Sequence, residues 1–307
     1  MEKLLEIKNL SKSFGRRKVI DNVSFDVFGG EVFGFLGPNG AGKTTTIKIV
    51  MGFLFPDSGE IIINHISLRK NYEKAMSFLG GIVENPEMYK FLSGRKNLEM
   101  YARIHGSVSK ERIDEVLELV GMLGRSEEKI KKYSLGMKQR IGLAQAIVHR
   151  PKVLILDEPT NGLDPAGIKE LRDILKKLAH DEGIAVIVSS HMLSEMELMC
   201  DRVGVISNGK LIGVKPIGEL LHTKGKAPYR FTMDDTTKAL SLLQNDYNEK
   251  INTVQDGYIE LNIDDSEVPT VTALLATNGV AIFGINKQEN SLEEAFLDIT
   301  GGGIDIA

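Results

Sequence analysis

A chain of 307 residues, 42% hydrophobic and 26% charged, is long enough for one large domain plus a smaller one. Its formal net charge of −4 argues against a broad nucleic-acid-binding face, so no nucleic acid is expected as a partner. The one cysteine, Cys200, excludes an internal disulfide and reads as a buried structural thiol in a reducing compartment. Met1-Glu2-Lys3-Leu4-Leu5-Glu6 lacks the apolar core of a signal peptide. No apolar run approaches the ~20 residues that span a bilayer, since Ile47 to Phe55 carries Lys48 and stops at Pro56-Asp57. A cytoplasmic protein is expected, with any membrane-spanning part supplied by another polypeptide.

In chain order, Leu4 to Ile7, Val23 to Val27 and Glu31 to Leu36 read as strands, with turns at Phe14-Gly15-Arg16-Arg17 and Gly29-Gly30. A helix-like segment, Thr45 to Met51, and a short strand, Gly59 to Ile63, follow. Apolar residues recurring at three and four predict helix from about Asn97 to Val120. Next come the apolar strand Val153 to Leu156, a helix over Gly167 to Leu178, the strand Ala185 to Val188 and a helix from Leu193. Strands alternating with helices predict a mainly parallel sheet. Residues 223–228 read as a linker between a domain over 1–222 and another over 229–307. The second part reads as strand (Tyr229 to Met233), helix (Thr236 to Leu243), then strands Lys250 to Val254 and Tyr258 to Ile263. A helix (Val268 to Ala276), a strand (Val280 to Ile285) and a last helix (Leu292 to Ile299) complete it. That βαββαβ order predicts a small ferredoxin-like α+β domain.

Gly37-Pro38-Asn39-Gly40-Ala41-Gly42-Lys43-Thr44 matches the phosphate-binding loop G-x-x-x-x-G-K-[ST] between a predicted strand and a predicted helix. Glycines let successive N–H groups turn toward an anion, and the helix N-terminus adds partial positive charge there. Lys43 is placed to reach the β- and γ-phosphates, and the hydroxyl of Thr44, followed by Thr45, to hold Mg²⁺. The run Val153-Leu154-Ile155-Leu156 delivers Asp157 to the carboxyl edge of the sheet, where the loop also opens. Asp157 is therefore a candidate Mg²⁺ ligand, and Glu158 a candidate to orient or deprotonate the attacking water.

From here the residues resemble one family. Asp157-Glu158-Pro159-Thr160-Asn161-Gly162-Leu163-Asp164-Pro165 is similar to the second carboxylate motif and following loop of ATP-binding-cassette (ABC) ATPases. Tyr133-Ser134-Leu135-Gly136-Met137-Lys138-Gln139-Arg140 resembles their signature LSGGQ and its basic tail, keeping Ser134 and Gly136 and departing at three of the five letters. The resemblance implies that Ser134 and Gly136 meet the γ-phosphate held by an opposite subunit, with Asp164 also at the nucleotide. It implies that His191, after the apolar strand 185–188, bonds the γ-phosphate and positions water. Phe14 matches the position whose ring stacks on adenine, although a core or turn aromatic would look the same. Glu84, in Ile82-Val83-Glu84-Asn85-Pro86, stands where most members carry a Mg²⁺-binding Gln. A glutamate there, beside other acids and phosphates, needs a cation between the charges, so it is expected to engage with Mg²⁺.

The implied fold is α/β, a P-loop NTPase of the ABC type. It has a RecA-like core, an antiparallel β subdomain and a helical subdomain at about 90–150, plus the small C-terminal domain. The implied activity is Mg²⁺-dependent ATP hydrolysis by two copies that close head to tail around ATP. The implied partners are a second copy and an integral-membrane permease that would hold the chain at the inner face of the cell membrane. Glu84 resembles the bacitracin- and lantibiotic-type exporters, and Ser291 to Ile299 resembles the C-terminal helix of ABC-2-type export ATPases. Soluble ABC ATPases of DNA repair or ribosomes usually carry two cassettes, a long coiled coil or zinc-binding cysteines, none of which the sequence shows. A regulator without turnover sits badly with Glu158 and His191 both present.

Overall fold

The computed structural model describes residues 1–84, 86–106, 108–190, 193–222 and 228–287. His191, residues 223–227 of the linker predicted over 223–228, and the predicted helix 292–299 lie outside the described residues. The chain divides into two compact units, one built on Met1–Ile217 and the other beginning at Gly218.

The first unit opens with β1 (Lys3–Phe14), β2 (Arg17–Phe28) and β3 (Val32–Leu36), then α1 (Lys43–Val50). β4 (Ser58–Ile63), β5 (Ile66–Ser67), α2 (Tyr72–Met76) and β6 (Leu79–Ile82) follow. Three helices come next: α3 (Gly94–Ile104), α4 (Lys110–Leu119) and α5 (Leu135–Ile147). The unit continues with β7 (Val153–Asp157), α6 (Pro165–His180), β8 (Ala185–Ser190), α7 (Leu193–Met199), β9 (Arg202–Ser207) and β10 (Lys210–Pro216). α8 (Ile217–His222) begins at the last residue of the Met1–Ile217 stretch and runs into the second unit.

Every residue of β3, β7 and β8 is buried, as strands covered on both faces require. They lie in a six-stranded sheet ordered β10-β9-β3-β8-β7-β6. β9, β3, β8, β7 and β6 run parallel and β10 closes one edge antiparallel. The carboxyl ends of β3, β7 and β8 therefore open at one edge. The register sets Asp157 beside Ser189 and Leu36 beside Ser190 there. A second, antiparallel sheet, β2-β1-β4-β5, shares its core with the first. Phe25 of β2 stacks on Phe33 of β3, with ring centroids 5.2 Å apart. α3, α4 and α5 form the helical part. Ser93 and Ser109 cap α3 and α4 by accepting backbone N–H bonds. Buried Arg112 of α4 donates to the carbonyls of Ile147 and Val148, which ties α4 to the end of α5.

Several elements depart from the periodicity reading. β1 and β2 run twelve residues each, because bulges at which Asn9 and Asn22 adopt φ of 51° and 56° break the alternation without ending the strands. The helix predicted over 97–120 is two helices separated at Gly106, whose φ is +89°. β6, Leu79-Gly80-Gly81-Ile82, has too little β propensity to be read as a strand. Its glycines are needed for packing: a β-carbon on Gly80 would meet the carbonyl of Ala146 in α5 and lie 3.0 Å from Pro151.

The second unit contains β11 (Tyr229–Met233), α9 (Thr236–Leu243), β12 (Ile251–Gln255), β13 (Tyr258–Leu261), α10 (Val268–Thr277) and β14 (Ile282–Lys287). Its antiparallel sheet is ordered β12-β13-β11-β14, the strand order of a ferredoxin-like split βαβ. Phe231, Ile259, Leu261, Leu243, Val271 and Leu275 form its core.

Candidate active site

The loop between β3 and α1 is built on glycines that nothing larger could replace. A β-carbon on Gly37 would run into the backbone carbonyl of Ile206, and one on Gly42 (φ +111°) would lie 2.9 Å from the carbonyl of Val19. Lys43, the first residue of α1, is 6% exposed. Its ammonium donates to the carbonyls of Gly37 at 2.5 Å and Pro38 at 3.3 Å. Burial pulls its pKa down, while the charges of Glu158 and Asp157 work the other way. A buried ammonium held between loop carbonyls and two acids is a group that could meet an anion.

Asp157 ends β7 at 3% exposure and accepts from the hydroxyl of Ser189 at 2.6 Å. The same hydroxyl accepts the N–H of Glu158 at 3.0 Å. Glu158 itself adopts φ +52°, a conformation that costs a non-glycine residue about 1–3 kcal/mol. That turn carries its side chain out of line with the strand and into the cleft of the phosphate loop. Asn161 then donates to Glu158 Oε2 at 2.9 Å.

Phe14, Pro38, Asn39, Gly40, Gly42, Lys43, Thr44, Thr45 and Glu158 line this one cleft, together with Arg17 and Val19. Gly37 and buried Ala41 shape the loop behind it. Phe14 is 48% exposed and offers a ring face at the rim. Ser134, Gly136 and Asp164 line a different cleft, between α5 and α6. Ser134 caps α5 by accepting from Met137 N–H, and Asp164 caps α6 by accepting from Gly167 N–H at 2.8 Å. Glu84 adopts φ +63° and pairs with Lys48 of α1 at 2.7 Å.

Three residues of this machinery carry no clear mark in the sequence. Ser189 orients Asp157 through a contact that only the fold creates, and Asn161 holds Glu158 from three residues further along the chain. Arg17 adds a cation to the first cleft, and its place after Phe14 in the β1–β2 turn was the available signal. Among the described residues no three His, Cys, Asp or Glu side chains group to cage a metal. The hard oxygens of Thr44 and Asp157 are of the kind that could hold Mg²⁺, which takes one or two protein oxygens and fills the rest with water and phosphate.

A RecA-like sheet with this loop, an antiparallel sheet packed on it and a helical part bearing Ser134 is the nucleotide-binding domain of an ABC protein. A family model described as ABC transporter matches residues 20–161. Over 302 residues the chain is 50% identical to the ABC transporter ATP-binding protein YhcH of Bacillus subtilis, covering 98% of this chain and 97% of that protein. It is 39% identical over 303 residues to the bacitracin transport ATP-binding protein BcrA of Enterococcus faecalis, covering 99% and 98%. A solved ATP-binding subunit of an ABC transporter superposes with a TM-score of 0.65 at 30% identity, covering 72% of this chain and 92% of that one. The chain belongs to the ABC transporter ATP-binding proteins, a family whose ATP-binding subunits are ATPases.

Proposed function

We propose that this chain is the Mg²⁺-dependent ATPase subunit of an exporter, acting as two identical copies on an integral-membrane permease. The observation that most supports this is the division of the site: Lys43, Thr44 and Glu158 line one cleft, and Ser134, Gly136 and Asp164 another. Phosphoryl transfer needs charge neutralisation around the γ-phosphate and a positioned nucleophile together. The second cleft would add a further hydroxyl, Ser134, and a further helix start, α5, to those of the first. ATP seated in one copy would be completed by the second cleft of another, so binding would close two copies head to tail. Hydrolysis removes a ligand that favours only the closed pair, and the pair opens.

In this reading the loop from Gly37 to Thr45 and the Lys43 ammonium hold the phosphates, and Phe14 stacks on adenine. Thr44 and Asp157, with Glu84, would hold Mg²⁺, which when bound offsets the phosphate charge. Glu158 takes the proton of the attacking water, with Asn161 steadying its carboxylate. His191, next in sequence after β8, is assigned to the γ-phosphate by the family resemblance. Residues 1–222 are read as the cassette and 229–307 as an accessory α+β domain. No helix among the described residues is long and apolar enough to cross a membrane, in keeping with a permease as a separate partner. Similarity to a bacitracin transport protein along nearly the whole chain supports export of an antimicrobial peptide, drug or like amphiphile from the cytoplasmic side.

Affinity capture of the tagged chain from solubilised membranes tests the transport reading. A co-purifying multi-span protein that raises ATPase activity is expected. Ribosomes or DNA in its place would overturn it.

A further inference from the structure

Leu135 stands where the signature pattern has its first glycine. Its side chain is 45% exposed and packs against Gly162. A β-carbon at 162 would lie 2.5 Å from Leu135 Cδ2, so the leucine fills the room that only glycine leaves. Gly162 also adopts φ +74°, which suits no other residue well. Beside this contact, Leu163 Cδ2 comes within 3.4 Å of where a β-carbon on Gly136 would be.

The loop 161–164 is thus held at three points. Asn161 fixes its start on Glu158, through Nδ2 to Oε2 at 2.9 Å and N–H to the carbonyl at 3.2 Å. Asp164 fixes its end as the cap of α6. Leu135 fixes its middle, and an Arg140–Glu170 ion pair braces α5 against α6 alongside.

We propose that Leu135 is a positioning residue for Glu158: by packing on Gly162 it makes the start of α5 and the Glu158 carboxylate move together. The inference rests on Glu158 being the base of the proposed function. Its consequence is that the cleft at Ser134, meant for one ATP, reports through Leu135 to the base that serves another. Loss of the leucine leaves Lys43 and Thr44 untouched, because neither shares a cleft with it.

Steady-state ATPase kinetics on the purified full chain test this. Leu135→Ala should lower kcat about tenfold, a loss of base positioning, with KM for ATP within about twofold. Leu135→Met, which can refill the seat on Gly162, should return kcat to within about threefold of the parent. In a cycle with Asn161→Ala the double variant should be no slower than the slower single one, since both act through one path. Additive losses, an unchanged kcat or a raised KM would overturn the proposal. Should Leu135→Ala fail to fold, Leu135→Val closes the same cycle. In a Glu158→Gln background, Leu135→Ala should keep ATP-induced dimerisation, and its loss would show that Leu135 acts on nucleotide directly. If Glu158→Gln alone does not dimerise, the two-copy reading fails, while the kinetic cycle still decides the role of Leu135.

Discussion

Lys43 and Ser134 line separate clefts of the same unit, each at the start of a helix: Lys43 opens α1 and Ser134 caps α5. A helix start can turn N–H groups toward an anion, and Lys43 adds a full charge at its own. In the proposed function these are two partial phosphate cradles, neither of which alone surrounds a γ-phosphate.

The first expected outcome concerns that charge. Lys43→Ala removes the one buried ammonium of the cradle, and a charge-assisted hydrogen bond is worth about 1.5–3 kcal/mol. Titration with a fluorescent ATP analogue should show affinity weakened by about ten- to a hundredfold, with turnover abolished. Affinity within about twofold of the parent would place the phosphates elsewhere.

Gly37→Ala probes the loop from behind. Its new methyl would collide with the Ile206 carbonyl, so β3 and β9 could not keep their spacing. The variant should melt several degrees lower and bind ATP poorly. An unchanged melting midpoint would mean that the loop has another conformation.

Glu84 is paired with Lys48 at 2.7 Å, and its side chain is 65% exposed. An exposed pair of this kind contributes about 0–1 kcal/mol, little enough to be exchanged for a stronger partner. Glu84→Gln should therefore leave the melting midpoint nearly unchanged while altering ATPase rate, Mg²⁺ requirement or stimulation by the permease. No change in all three would remove Glu84 from the list of Mg²⁺ ligands.

A pH effect on stability follows from His149. Burial, then the nearby His105, holds its imidazole down to about pKa 4 from 6.5, opposed by the hydrogen bond to the Leu79 carbonyl. The rings of His105 and His149 stack with centroids 4.0 Å apart, and Tyr101 and Arg112 are the other titratable groups around them. The unfolded chain takes up a proton at His149 below about 6.5, and the folded chain only near 4. Stability is thus present above 6.5 and lost as pH falls, at up to about 1.4 kcal/mol per unit. Urea unfolding between pH 7 and 4.5 should show a flatter pH slope for His149→Gln than for the parent. Equal slopes would contradict it.

How far the sequence could be read depended on the range of the interactions involved. The stretch from Gly37 to Thr44 was legible because a phosphate cradle is local: each residue's role is set by its neighbours in sequence. β3, β7 and β8 were legible because strands buried on both faces are apolar throughout. Ser189 was not, since its hydroxyl matters only through a contact 32 residues away with Asp157. Nor was the seat of Leu135 on Gly162, where a departure from the signature pattern hid a packing role. β6 was lost for a similar reason: its glycines answer to α5, not to strand propensity. The strand order of the second unit followed from a plain alternation of strands and helices, and so was readable without any site.

The claim on which the rest depends is that two copies complete each ATP site. Glu158→Gln keeps the shape of the base and removes its charge, so ATP should bind without being hydrolysed. Size-exclusion chromatography with light scattering, at saturating Mg²⁺-ATP, should give a dimer that falls apart with ADP. A monomer under those conditions, with ATP shown to be bound, would contradict the account.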